Sequence, residues 1–203
     1  MLLGAFAIAF AVVLYLNQGQ SESVSGPILG DPDPSTPAAE APPTTVRAHV
    51  IERSKPVRTT PGSPTRVIIP VQDINVPVVP IQAASGVLTP PSNPQELGWW
   101  SGGAQPGAMK GSALITGHTV HTGGGALDNL NDLRLGNEVI VLTDHGKLTY
   151  RVIHVVDFTK GNLTSSAPRL FSQESRGRLV LITCSDWNGV QYLSNTVVTA
   201  IAV

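Results

Sequence analysis

Cys184 is the single cysteine of the chain, and it follows the run Leu181-Ile182-Thr183. A lone cysteine in an exported protein has three readings: an intermolecular bridge, an inert buried thiol or a reactive nucleophile. The nucleophile reading demands a proton-handling partner and donors for the oxyanion that forms on attack. Histidine is the usual partner. The β-rich part of the chain offers His118, His121, His145 and His154. His145 falls in the turn Asp144-His145-Gly146, and His154 stands mid-strand among Val and Ile, which reads as a structural position. His118 follows the apolar run Ala113-Leu114-Ile115 and the pair Thr116-Gly117. It therefore stands where the chain leaves a strand, a common place for a catalytic side chain.

His118 and His121 also form an H-x-x-H pair, which could bind a metal on a helix. The Thr119-Val120 between them and the glycines after them argue against a helix, so neither a metal nor a cofactor is expected there. One cysteine excludes a Cys-based zinc cluster and a disulfide-stapled fold. A net charge of −1 provides no basic field for nucleic acid. Charged residues are 13% of the chain, about half the usual share of roughly 25%. The wet surface must therefore rest on Ser, Thr, Asn, Gln and Gly.

The elements that position these residues are short β-rich runs separated by turn residues. Strands are expected over Arg66–Pro70, Ile74–Val79, Ser112–Thr116, Asn137–Thr143, Lys147–Phe158, Leu179–Thr183 and Tyr192–Val203. Asp144-His145-Gly146 suits a hairpin turn. Ala126, Leu127, Leu130 and Leu133 repeat at helical spacing and predict one short helix over 126–133. Phe158–Arg178 reads as a long, Ser-rich connection, and Trp99-Trp100 as a cap on a small core or the wall of a groove. Many short strands with little helix predict a mainly β domain, a closed or nearly closed barrel.

Three segments follow in order. Residues 1–17 carry the apolar run Leu2–Leu16, which as a helix reaches roughly 22 Å, less than a bilayer core of about 30 Å. The absence of a small-x-small site after it favours an uncleaved membrane anchor over a cleaved signal or a core helix. Residues 18–64 are rich in Pro, Ser, Thr, Ala and Gly and read as a disordered tether. Residues 65–203 form the domain, on the extracellular side of the cell membrane in a single-pass arrangement.

Thr116-Gly117-His118 with Leu181-Ile182-Thr183-Cys184 resembles the T-G-H and L-x-T-C strand ends of the sortases, a family of bacterial cysteine transpeptidases. Leu127-x-x-Leu130-x-x-Leu133-x-x-Gly136-x-x-Val139 fits as well. Gly98-Trp99-Trp100 and Ser185-Asp186-Trp187-Asn188-Gly189 look most like the actinobacterial class E or F types. The resemblance implies a closed eight-stranded barrel with one or two short helices. It implies a thiol endopeptidase, a hydrolase by class, whose Cys184 attacks an LPXTG-like sorting signal to form an acyl-thioester. His118 is then the general acid/base. The implied partners are secreted proteins bearing a C-terminal sorting signal and a peptidoglycan-precursor or pilin amine. By the same resemblance, the connection 158–178 covers the signal peptide.

The chain departs from the family at one point. Sortases carry an arginine on the last strand, and no arginine follows Arg178 here. Asn195 falls near that position, with Leu193 the other candidate, and an asparagine can give one uncharged hydrogen bond to an oxyanion. Arg134 and Arg151 are the alternatives from other strands. The competing readings of the chain are a sortase-like barrel that binds without cleaving, and another type of cysteine cell-wall peptidase.

Overall fold

The computed structural model describes residues 59–203 and the backbone of Val12–Val13. The apolar segment 1–17, those two residues apart, and the tether as far as residue 58 lie outside the described residues. Among the described residues no helix is long and apolar enough to cross a membrane.

Eight strands close into a barrel: β2 (Pro64–Ile69), β3 (Ile74–Ile81), β6 (Leu97–Trp100), β7 (Ser112–Thr116), β8 (Glu138–Thr143), β9 (Gly146–Thr159), β10 (Arg178–Trp187) and β11 (Tyr192–Ala202). Their order around the wall is β10-β11-β9-β8-β2-β3-β6-β7, and β7 closes onto β10. The β7–β10 and β3–β6 pairs are parallel, and the other pairs are antiparallel. The short strands β1 (Val12–Val13), β4 (Ala83–Ala84) and β5 (Val87–Leu88) form a separate small sheet.

The residue pattern of β10 explains the layers. Leu179 and Leu181 point into the barrel with Ile115, Leu127, Val141, Tyr150 and Val198. Val180 and Ile182 point outward, where Leu163, Ala167 and Phe171 cover them with Trp100 and Leu114. A strand buried on both faces reads as a continuous apolar run rather than an alternating one. Trp99 and Trp100 divide in the same way, one into each core, so both tryptophans are packing residues.

The covering helix α1 (Lys160–Leu170) is a correction to the sequence reading, which placed an irregular connection over 158–178. Gly161, Thr164, Ser165, Ser166 and Pro168 are poor helix formers, so the helix depends on tertiary packing rather than propensity. Thr159 caps it by accepting from the Asn162 N–H, and Arg178 donates to the terminal carbonyls of Arg169 (2.6 Å) and Leu170 (3.0 Å). The expected helix over 126–133 is also corrected. That segment is turns with one 3-10 turn at Leu130–Asp132, although its leucines are buried in the barrel core. Its helical spacing reports which side chains go inward, not a helix. At the β8–β9 hairpin, Thr143 pairs with Gly146 around the two-residue turn Asp144-His145, as the sequence predicts.

Candidate active site

The parallel register of β7 and β10 brings two chemistry-bearing residues to one end of the barrel. Thr116, the last residue of β7, lies opposite Ile182; two residues on, the chain reaches His118 past the end of β7 and Cys184 within β10. Two bonds hold these ends together: the Gly117 N–H donates to the Ile182 carbonyl at 3.2 Å, and the Thr183 hydroxyl donates to the Gly117 carbonyl at 2.9 Å. The Thr119 hydroxyl, 2.8 Å from that of Thr183, donates to it in turn. A Cβ on Gly117 would press on the buried Leu97 and Leu127 side chains, so glycine suits this close approach. The T-G-H and T-C pieces thus form one hydrogen-bonded unit.

Beyond His118 the chain turns back sharply. The Asp128 carboxylate accepts from the N–H groups of Val120 (2.7 Å) and Gly125 (3.0 Å), and the Leu127 N–H donates to the His118 carbonyl. This loop and the end of β10 bound a cleft of about 480 Å³, lined among others by Thr119, Asp128, Cys184, Trp187 and Tyr192. His121 stacks flat on Trp187, with ring centroids 4.2 Å apart. The His118 ring lies elsewhere, its Nε2 2.7 Å from the Pro91 carbonyl oxygen. The H-x-x-H pair therefore does not converge on a common point. His154 is an exposed position on β9 opposite Thr199, and His145 Nδ1 lies against the Pro61 carbonyl.

Cys184 is half-buried, and Asn195 on β11 lies directly opposite it. The Asn195 Nδ2 donates to the Thr183 carbonyl at 3.1 Å and stands 3.9 Å from Cys184 Sγ. Leu193, the other candidate, is an exposed side chain. Neither arginine alternative is seen at the thiol: Arg134 donates to the carbonyls of Asn131 and Leu133, and Arg151 is exposed on β9 between Glu138 of β8 and Ile201 of β11. The structure does place Asn195 beside Cys184. It also brings in a residue the sequence reading missed. Lys160, the first residue of α1, puts its Nζ 3.9 Å from Cys184 Sγ, 2.7 Å from Asn195 Oδ1 and 3.2 Å from the Ser194 carbonyl.

Burial pushes the Cys184 thiol up from its ordinary pKa; the Lys160 charge and hydrogen bonds from Lys160 and Asn195 pull the other way. Burial lowers the Lys160 ammonium pKa, while the nearby thiolate favours its charged form. Burial wins, so the half-buried Cys184 rests as the thiol, and Lys160 and Asn195 only partly offset that cost to the thiolate. Once deprotonated, the sulfur can attack a carbonyl presented in the cleft, and the amide donor and ammonium beside it can meet the developing negative charge. The set needs no metal ligand.

The closed eight-stranded barrel, with Cys184 on β10 and His118 just past the parallel neighbour β7, fits the sortase class of cysteine transpeptidases. The Sortase domain family model matches residues 67–203, and the chain belongs to the sortase family. Among solved structures, sortase C-1 from Actinomyces oris is 23% identical, covering 68% of this chain and 70% of that one at a TM-score of 0.53. A lid mutant of sortase A from Corynebacterium diphtheriae is 20% identical over 72% and 73%, with a TM-score of 0.55. Sortase C-1 from Streptococcus pneumoniae is 23% identical over 68% and 66%, with a TM-score of 0.54. At these identities the likeness is one of fold. A comparison with curated proteins found no match.

Proposed function

We propose that the chain is a membrane-tethered transpeptidase that cleaves an LPXTG-like sorting signal through Cys184 and passes the protein to a cell-wall amine. The observation that carries this reading is the arrangement around the thiol. Cys184 Sγ opens on the cleft with the Asn195 amide and the Lys160 ammonium each 3.9 Å away, and His118 leaves the adjacent strand at the same level.

The reaction has two halves. The thiolate attacks the scissile carbonyl carbon, and the C–N bond breaks as His118 gives a proton to the departing amine. An acyl-thioester remains. An incoming amine then attacks the thioester carbonyl, gives its proton to His118 and expels the thiolate. Nucleophile and acid/base are regenerated, and no oxidant or cofactor enters. His118 must first release the Pro91 carbonyl, so productive binding displaces that contact. The Asn195 Nδ2 serves as an uncharged oxyanion donor.

The apolar segment 1–17 supports a single-pass anchor in the cell membrane, with residues 18–58 as tether and the barrel on the extracellular side; residues 59–64, expected in the tether, are instead bonded to the barrel through Thr59, Gly62 and Pro64. The amine acceptor is a peptidoglycan precursor or a pilin subunit. Gly98-Trp99-Trp100 and Ser185–Gly189 support placement with the actinobacterial class E or F sortases. The His118–Pro91 contact favours a second reading, a barrel that binds the signal peptide without cleaving it. Incubation of the protein with LPXTG-type peptides and a glycine amine separates the two. Transpeptidation gives a ligated product and a mass adduct on Cys184; binding alone gives neither.

A further inference from the structure

The last strand of this barrel lacks a cation, yet a cation stands at the thiol. We propose that Lys160, entering from the start of α1, supplies the positive charge of the active site, stabilising the Cys184 thiolate and orienting the Asn195 amide. The inference rests on the reading of Cys184 as nucleophile.

Three observations converge on Lys160. Its Nζ reaches the sulfur, Asn195 Oδ1 and the Ser194 carbonyl at once, so the ammonium is fixed between β10 and β11 rather than free in solvent. The 2.7 Å contact to Oδ1 sets the amide: an ammonium only donates, so the oxygen must face it, and Nδ2 is left facing the Thr183 carbonyl and the sulfur. The lysine also stands at a helix N-terminus, where the helix dipole disfavours cations. Its place is therefore against local helix preference and in favour of the sulfur.

The face of β10 explains how a helix residue arrives there. Cys184 shares its outward side with Val180 and Ile182, which α1 covers through Leu163 and Ala167. Packing the helix on those side chains carries its first residue to the thiol. The cation at this thiol comes from the element that covers β10, not from the last strand. Among the described residues, the other titratable groups lining the cleft are His121 and Asp128 from the loop after β7, Asp186 on β10 and Tyr192 on β11, with His118 just past the end of β7. On β9, the Asp157 carboxylate accepts from the Ser185 and Thr196 hydroxyls.

The test uses the single thiol. Alkylation of Cys184 by iodoacetamide, followed by intact mass from pH 5 to 10, reads its thiolate fraction with no need of a substrate. Lys160→Met keeps the stem and removes the charge; its alkylation midpoint should rise by about one pH unit, with the rate at pH 7 about tenfold lower. Lys160→Arg should keep a midpoint near the wild type. Lys160→Gln is a second neutral variant should the methionine protein not fold, and it should follow Lys160→Met. Midpoints equal in the wild type and the neutral variants would overturn the proposal. With an LPXTG-type peptide, the neutral variants should lose kcat at similar KM, and Lys160→Arg should restore it. A wild type that forms no acyl adduct while the neutral variants still shift the alkylation midpoint would refute the transpeptidase reading and leave the charge assignment standing.

Discussion

Replacing Thr183 by valine keeps the shape of a buried side chain and deletes only its hydroxyl. That hydroxyl donates to the buried Gly117 carbonyl at 2.9 Å and receives the Thr119 hydroxyl. Thr119 has a second acceptor in the Leu127 carbonyl at 3.3 Å, but the Gly117 carbonyl loses its side-chain donor. Leaving a buried acceptor unsatisfied costs about 1–3 kcal/mol. A central value of about 2 kcal/mol corresponds to roughly 1 M in the urea midpoint at an ordinary slope. Thr183→Ser is the paired control, because it keeps the hydroxyl and loses one methyl, at about 1 kcal/mol. The hydroxyl account thus orders the proteins as wild type, then serine, then valine, although valine preserves more volume. Urea unfolding followed by tryptophan fluorescence measures both. If the valine protein is as stable as the wild type, or more stable than the serine protein, the hydroxyl does not tie the two strand ends. The same variant should acylate more slowly, since it loosens the segment that carries His118.

Asn195→Ala removes the donor to the Thr183 carbonyl and the acceptor of Lys160; stability should fall by about 1–3 kcal/mol, and peptide acylation should slow in stopped assays read by mass. Tyr150 is buried with its oxygen 2.7 Å from the Gly107 N–H, and burial pushes its phenol up to about 12. Its folded pKa exceeds the unfolded value near 10, so the stability it contributes is present below pH 10 and is lost as the pH rises toward 12. Denaturation between pH 9 and 12 should show that decline, and Tyr150→Phe should flatten it. Arg178→Met removes the donors to the Arg169 and Leu170 carbonyls and to Ser112 Oγ; hydrogen exchange in α1 should quicken, with a loss of about 1–2 kcal/mol.

Much of this arrangement was legible because it depends on local pattern. The alternation and turn residues marked β7, β8, β9, β10 and β11 to within a residue or so at most ends, and the apolar runs ending in Gly117-His118 and Thr183-Cys184 pointed to one end of one fold. Other features depend on which faces meet. The leucines at 127, 130 and 133 repeat like a helix because each turn of an irregular chain drops one side chain into the barrel. Helix α1 was invisible because its sequence is poor in helix formers, and only the outward apolar face of Val180 and Ile182 makes it stable. Lys160 was missed for the same reason: it comes near the thiol only once α1 is packed. A cation at a helix start was the one available sign, and it could be read only after the helix was known. Trp99 and Trp100 pack into the cores, as the core reading expects, but the strand Leu97–Trp100 that carries them was not foreseen, since four residues with a glycine carry too little alternation to announce a strand.

The central claim is that Cys184 is a nucleophile assisted by His118. Its most direct test is intact mass spectrometry of the protein after incubation with LPXTG-type peptides and no amine acceptor, alongside Cys184→Ala and His118→Ala. The account predicts an acyl adduct on the wild type that a glycine amine discharges into ligated product, with none on either variant. Cleavage or ligation that survives in Cys184→Ala would contradict it.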